Sequence, residues 1–217
     1  MNKAYYTDEI AAHEAGHSLA LAVAGLAGEF TSCTIVPQDG VYGKTDRSGE
    51  SLLLLSSDIA KYAQQLANPA GLALAKQAFR EFLGNVPEIC LPHVCFFFGG
   101  GSLDRFFDRE CTARNAIDIR AIKDMVLPAM AVGVSDDDLS KIQSKVDEFL
   151  GKAFEKEEAL FKKIYDRLVA ERTILRGDAG DLLVEMQNSA ERLKADYQEL
   201  LVWFKGWYEP KIIAAWG

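Results

Sequence analysis

The sequence predicts a mostly α-helical protein with a small β-sheet or hairpin, and three observations carry that expectation. Apolar residues recur at helical spacing through most of the chain. β-branched residues alternate with others only in one early stretch, around residues 30–36. The 217 residues are 49 % hydrophobic, enough to bury a sizeable core. An N-terminal domain over residues 1–134 and a C-terminal helical region over residues 135–217 packed on it are expected.

Each element has a local reason. Residues 8–24 read as a first helix: Thr7 suits the N-cap, Asp8 and Glu9 load the first turn with acidic charge, Ile10, Leu19, Leu21 and Val23 are apolar, and Gly25 and Gly28 suit the stop. Residues 30–36 read as a strand and residues 41–45 as a second strand beside it. Residues 58–82 read as a helix in two parts, interrupted at Asn68-Pro69. Residues 91–98 are apolar but bounded by Pro87, Pro92 and three glycines, and read as a buried strand or core helix. Residues 115–130 read as a helix with Ile117, Ala121, Ile122, Met125 and Val126 facing the core.

Ser135 and Asp136, Asp137 and Asp138 cap a long helix over residues 139–170, and residues 181–207 supply a last one. The three aspartates read as a solvated cap, since the glycine and closing glutamate of a calcium loop are absent at the right offsets. Phe149, Phe154, Leu160, Ile164 and Leu168 form an apolar stripe, which suits a helix pair flanking the core or, alternatively, a coiled-coil arm that makes a homo-oligomer. Trp203, Phe204, Trp207, Tyr208 and Trp216 suit either the core or a partner-facing patch.

Composition removes several function classes. A net charge of −8 leaves no basic footprint, so nucleic acid is not an expected partner. The chain has no Gly-x-x-x-x-Gly-Lys-Ser/Thr phosphate loop. It has no uninterrupted apolar run of about 18 residues, and its start lacks signal-peptide architecture, so a cytoplasmic protein without a membrane span is expected. Cys33, Cys90, Cys95 and Cys111 show no Cys-x-x-Cys spacing and read as buried reduced thiols; a metal site at Cys90, His93 and Cys95 is the less favoured reading of that stretch.

The chemistry-bearing motif is His13-Glu14-Ala15-Gly16-His17, which holds two of the three histidines. Residues four apart on a helix lie roughly 40° apart around its axis, so both imidazoles reach one zinc ion. Glu14, rotated by roughly 100° from His13, lies beside the metal, where a carboxylate takes the proton of a zinc-activated water. Zinc of catalytic type needs a third protein ligand and keeps a position for water.

Residues 8–20, Asp8-Glu9-Ile10-Ala11-Ala12-His13-Glu14-Ala15-Gly16-His17-Ser18-Leu19-Ala20, resemble the protease domain of the FtsH family of ATP-dependent zinc metalloproteases. Thr34-Ile35-Val36-Pro37 and Gly43-Lys44-Thr45 are similar to that family's strand, proline turn and Gly-x-Thr edge segment. Residues 99–107 resemble its Gly-Gly-x-x-Ala-Glu helix, with Ser102-Leu103-Asp104 departing from Ala-Ala-Glu. The resemblance covers roughly residues 5–130 and implies a zincin-like fold, an edge strand that holds substrate, and Asp118 as the third zinc ligand. Glu110, Asp108, Asp104 and His93 remain rivals for that place.

Two function classes remain. The first is an ATP-independent zinc metallopeptidase acting on a peptide or unfolded protein, with His13, His17 and Asp118 on the metal and Glu14 as general base. The second is a binding or regulatory module that keeps the fold without turnover. The intact Glu14 favours the first, because a metal needed only for folding needs no base beside it.

Overall fold

Helix α1, Glu9–Val23, runs through the middle of the molecule, and every residue from Ala11 to Val23 is buried. It is seen in a computed structural model that describes residues 1, 3–37, 43–67, 72–109 and 112–216. The cap is Asp8, not Thr7: the Asp8 carboxylate accepts from the amides of Ile10 and Ala11 at 3.1 and 3.0 Å. At the other end Gly25 takes a positive φ of 82°, and the amides of Gly25 and Leu26 return to the carbonyls of Ala22 and Leu21. This is the glycine-terminated Schellman stop.

As the sequence predicts, the fold is mostly α with one small sheet. Strands β1 (Phe30–Thr34), β2 (Lys44–Arg47) and β3 (Thr173–Leu175) pair antiparallel in the order β2-β1-β3, with Cys33 opposite Thr45 on one side and Ile174 on the other. Residues 41 and 42 of the expected second strand lie outside the described residues, and the pairing instead runs on to Arg47. Three residues are too few to show alternation, which is why β3 leaves no sequence signal.

Helix α2, Glu50–Leu66, starts well before residue 58, because Gly49 at φ 65° turns the chain straight from β2 into it. Helix α3 is Leu72–Leu83, and Asn68-Pro69 lies outside the described residues. Residues 91–98 are the middle of α4, Val86–Phe106, so the core-helix reading is correct and the strand is not. Pro92 sits inside this helix; burial of the α4 surface against the core outweighs a cost of about 3 kcal/mol for an interior proline. Helix α5, Thr112–Ala121, widens into a π turn at Ile122–Val126 and ends in the short α6, Leu127–Ala129. Pro128 just beyond the turn has no N–H and removes one bond from the ladder. The expected inward face of this segment is corrected: Ile122 and Val126 are buried, but Ile117 and Met125 are 58 % and 48 % exposed.

The expected helix 139–170 is two helices, α7 (Asp136–Lys156) and α8 (Glu158–Glu171). The break is at Glu157, whose buried carboxylate accepts from Arg192 Nε and Nη2 at 2.7 and 2.5 Å. Ser135 and Asp138 form a reciprocal capping box at the start of α7. Helix α9 is Gly180–Arg192, and α10, Lys194–Trp216, runs past residue 207 with Pro210 inside it. The stripe Phe149, Phe154, Leu160, Ile164 and Leu168 is buried in one core that reaches from Tyr6 to Ile212. The C-terminal aromatics face inward too: Trp207 Nε1 donates to Asp138 at 3.1 Å and Trp216 Nε1 to the Ala131 carbonyl at 2.8 Å. Among the described residues one helix, α4, is long and apolar enough to cross a membrane, and it is mostly buried inside this fold.

A polar cluster fastens the sheet to α2 and α4. The Ser51 hydroxyl donates to Glu29 Oε1 at 2.6 Å, so the buried His93 donates through Nε2 to Ser51 Oγ at 2.8 Å. Arg47 reaches Glu29 at 3.4 Å while its guanidinium lies 5.2 Å from the centres of both the Phe96 and Phe97 rings. Burial, and then the Arg47 charge, push the His93 pKa down to about 4 from an ordinary 6.5. A histidine of lower pKa folded than unfolded takes its proton first in the unfolded chain. Its contribution is therefore full above about 6.5 and lost as the pH falls toward about 4. In metal-free protein, the urea midpoint should fall between pH 7 and 4.5 more steeply in wild type than in His93→Gln. Parallel curves would show that His93 does not carry this dependence.

Candidate metal centre

His13 and His17 lie one turn apart on the face of α1 that meets α4, and their Nε2 atoms are 3.2 Å apart. Each ring is held from behind. His13 Nδ1 is 2.7 Å from Asp104 Oδ2, and His17 Nδ1 is 2.7 Å from the Phe96 carbonyl. A carbonyl only accepts, so His17 Nδ1 carries the proton; the Gly100 amide, 3.4 Å from the same nitrogen, is too distant to compete. With the Nδ1 protons directed backward, both Nε2 atoms present lone pairs to the same point. The third atom facing that point is Asp118 Oδ2, at 3.5 Å from His13 Nε2 and 3.4 Å from His17 Nε2.

Three electron-rich atoms at this separation repel one another unless a cation stands between them. Tetrahedral zinc with bonds of about 2.0–2.1 Å sets its ligand atoms roughly 3.3 Å apart, and the observed edges are 3.2, 3.4 and 3.5 Å. Asp118 Oδ2 is buried and receives no hydrogen bond, a state a cation would relieve. Among the described residues, His13, His17 and Asp118 are the group of metal-ligating side chains drawn together in this way. The donor set therefore fits a catalytic zinc, with two imidazoles, one carboxylate and a fourth position open to water. Burial would raise the Asp118 carboxyl, but in the metal-free chain the positive charge that the facing imidazoles, His17 first, can take on holds it at about 2, so it is ionised at neutral pH. In the metal-free chain burial would lower the His17 pKa, yet the Asp118 charge raises it overall, and a bound cation would displace that proton.

The three glycines of α4 each make room for a different neighbour. A Cβ on Gly99 would stand 2.7 Å from Ala20 Cβ and from the Gly16 carbonyl. One on Gly100 would stand 2.5 Å from His13 Nε2 and 2.6 Å from His17 Nε2. One on Gly101 would stand 2.4 Å from Asn115 Oδ1 on α5. Successive helix residues are about 100° apart, so one glycine seats α1, the next forms the floor under the imidazoles, and the third admits α5 with Asp118 one turn beyond Asn115. Asp118 is in the second turn of α5, not the first, because the helix begins at Thr112.

Glu14 faces the sheet side of α1 and is 4 % exposed, beside His13 and His17 at 2 % and 5 %. Thr45 Oγ1 of the edge strand β2 donates to Glu14 Oε2 at 2.8 Å. Burial raises the Glu14 pKa, and the neighbouring histidines and Thr45 only partly oppose it. The rivals for the third ligand stand elsewhere. Asp104 is behind His13, His93 pairs with Ser51, Asp108 is exposed, and Glu110 lies outside the described residues. Cys33, Cys90 and Cys95 are buried free thiols, Cys111 is outside the described residues, and among the described residues no metal cluster forms at Cys90, His93 and Cys95. Sequence reasoning missed the task of Asp104, which is to orient His13. The signal was its place four residues after Gly100, on the α4 face that meets the histidines.

Comparison with protein-family models, with curated proteins and with solved structures found no match.

The geometry predicts about one zinc bound per chain. His17→Ala and Asp118→Asn should each lose most of it, as should Gly100→Ala, whose methyl group would press on the Nε2 edges of both imidazoles. Asp104→Asn keeps all three ligands and should weaken zinc affinity by about 10–100-fold, as loss of a histidine-orienting carboxylate does. Asp108→Asn should bind as wild type. Chelator competition reads the five variants beside wild type, and full zinc retention in His17→Ala would remove the assignment.

Proposed function

We propose that this chain is an ATP-independent zinc metallopeptidase that hydrolyses peptide bonds in peptides or unfolded proteins in the cytoplasm. The observation that carries the reading is the convergence of His13, His17 and Asp118 on one point, with the buried Glu14 carboxylate in electrostatic contact with all three. Held by those three residues, a zinc ion would supply Lewis acidity and a water that ionises near neutral pH. Glu14 would accept the proton of the attacking water and return it to the departing amine. Asp104 and the Phe96 carbonyl keep both imidazoles turned toward the metal position. Among the described residues strand β2 pairs with β1 on one side only, so its other side would offer backbone groups to an extended substrate.

The resemblance of residues 8–20 and of Gly43-Lys44-Thr45 to the FtsH protease domain supports the same reading. Against a purely metal-binding module stands Glu14, a buried carboxylate that a structural zinc site has no use for.

Glu14→Gln keeps the shape of the side chain but accepts no proton. Its zinc content should equal that of wild type, while cleavage of an unfolded casein substrate falls by at least about 100-fold. Cleavage at the wild-type rate would exclude Glu14 as the base.

A further inference from the structure

Thr45 sits at a junction that the metal site does not itself require. Its hydroxyl has one proton and three neighbours: Glu14 Oε2 at 2.8 Å, the Glu14 carbonyl at 3.2 Å and Cys33 Sγ at 3.1 Å. The carboxylate oxygen is nearest and bears charge, so it receives that proton. A Thr45 lone pair is then left for the Cys33 thiol, which burial keeps protonated with a pKa of about 12. A chain of hydrogen bonds therefore runs from Cys33 S–H to Thr45 O–H to Glu14 Oε2. The other carboxylate oxygen faces Gly43, where a Cβ would stand 2.8 Å from Glu14 Oε1 and 2.9 Å from Glu14 Cγ.

We propose that Thr45 is the positioning residue of the general base: it engages Oε2, fixes the Glu14 side chain, and leaves Oε1, in the space Gly43 keeps clear, as the oxygen that handles the proton. The inference rests on Glu14 being the base. It gives two members of the Gly43-Lys44-Thr45 segment separate tasks on one carboxylate, Thr45 holding one oxygen and Gly43 giving room to the other. Because the register sets Cys33 opposite Thr45, the sheet pairing itself determines where the hydroxyl stands.

The test compares Thr45→Val, which keeps the β-branched shape, with Thr45→Ser, which keeps the hydroxyl; Thr45→Ala is carried alongside should the valine fail to fold. Thr45→Val should retain zinc and lose about 10–100-fold in kcat with KM within about twofold, while Thr45→Ser stays within about threefold of wild type. Wild-type kcat in Thr45→Val, or equal losses in Val and Ser, would overturn the proposal. A second readout needs neither metal nor turnover. With carbon-13-labelled glutamate, the infrared carboxylate band that disappears in Glu14→Gln should shift in Thr45→Val and return in Thr45→Ser. A band that ignores Thr45→Val refutes the hydrogen-bonded hold. Should wild type cleave no peptide while the band still tracks the hydroxyl, the peptidase reading falls and the contact to Glu14 stands.

Discussion

The close approach of α1 to α4 is the constraint on which the rest of the structure depends. Where the two helices meet, the contacts are backbone and Cβ atoms: the Gly16 carbonyl and Ala20 on one side, the Gly99 carbonyl and Gly100 Cα on the other. Only at that separation can Asp104 and the Phe96 carbonyl, both on α4, reach the imidazoles of His13 and His17 on α1. Glycine in a helix interior costs about 1 kcal/mol relative to alanine, and α4 carries three in a row together with an interior proline. A helix that breaks local rules this often, yet is buried almost throughout, has its sequence set by what it must touch.

The second organising fact is charge. Glu14, Asp104 and Asp118 bring three carboxylates to the centre of the molecule, and two imidazoles neutral in the metal-binding state offset none of them. Buried charge without compensation is expensive. A divalent cation at the imidazole edge would offset two of the three, and the bond from Thr45 serves the remaining carboxylate. Helix α1 separates these tasks by rotation. His13, Gly16, His17 and Ala20 face α4, while Glu14 turns to the sheet and its edge strand.

Legibility in the sequence depends on the range of the interactions. The histidine pair and the glutamate between them read directly, because their spacing is a property of one helix turn. The packed stripe of α7 and α8 reads for the same reason, but the break between them does not, since Glu157 ends the helix through a partner, Arg192, from α9. Asp118 is nominated by resemblance alone. The apolar face expected for its helix is misplaced, since Ile117 and Met125 point outward and a π turn rotates the residues beyond Ala121. The three consecutive glycines look like an interruption of an apolar run and are instead three separate contacts, a fact that no one-dimensional pattern contains. Strand β3 is invisible because its reason lies in β1, far along the chain.

The central claim is that one zinc ion sits among His13, His17 and Asp118. Zinc-edge X-ray absorption on protein loaded with one equivalent of metal tests it most directly. The account predicts about four nitrogen and oxygen neighbours at about 2.0–2.1 Å, outer-shell scattering from two imidazoles, and no sulfur at about 2.3 Å. A sulfur shell, or a shell of oxygens without imidazole scattering, would contradict it.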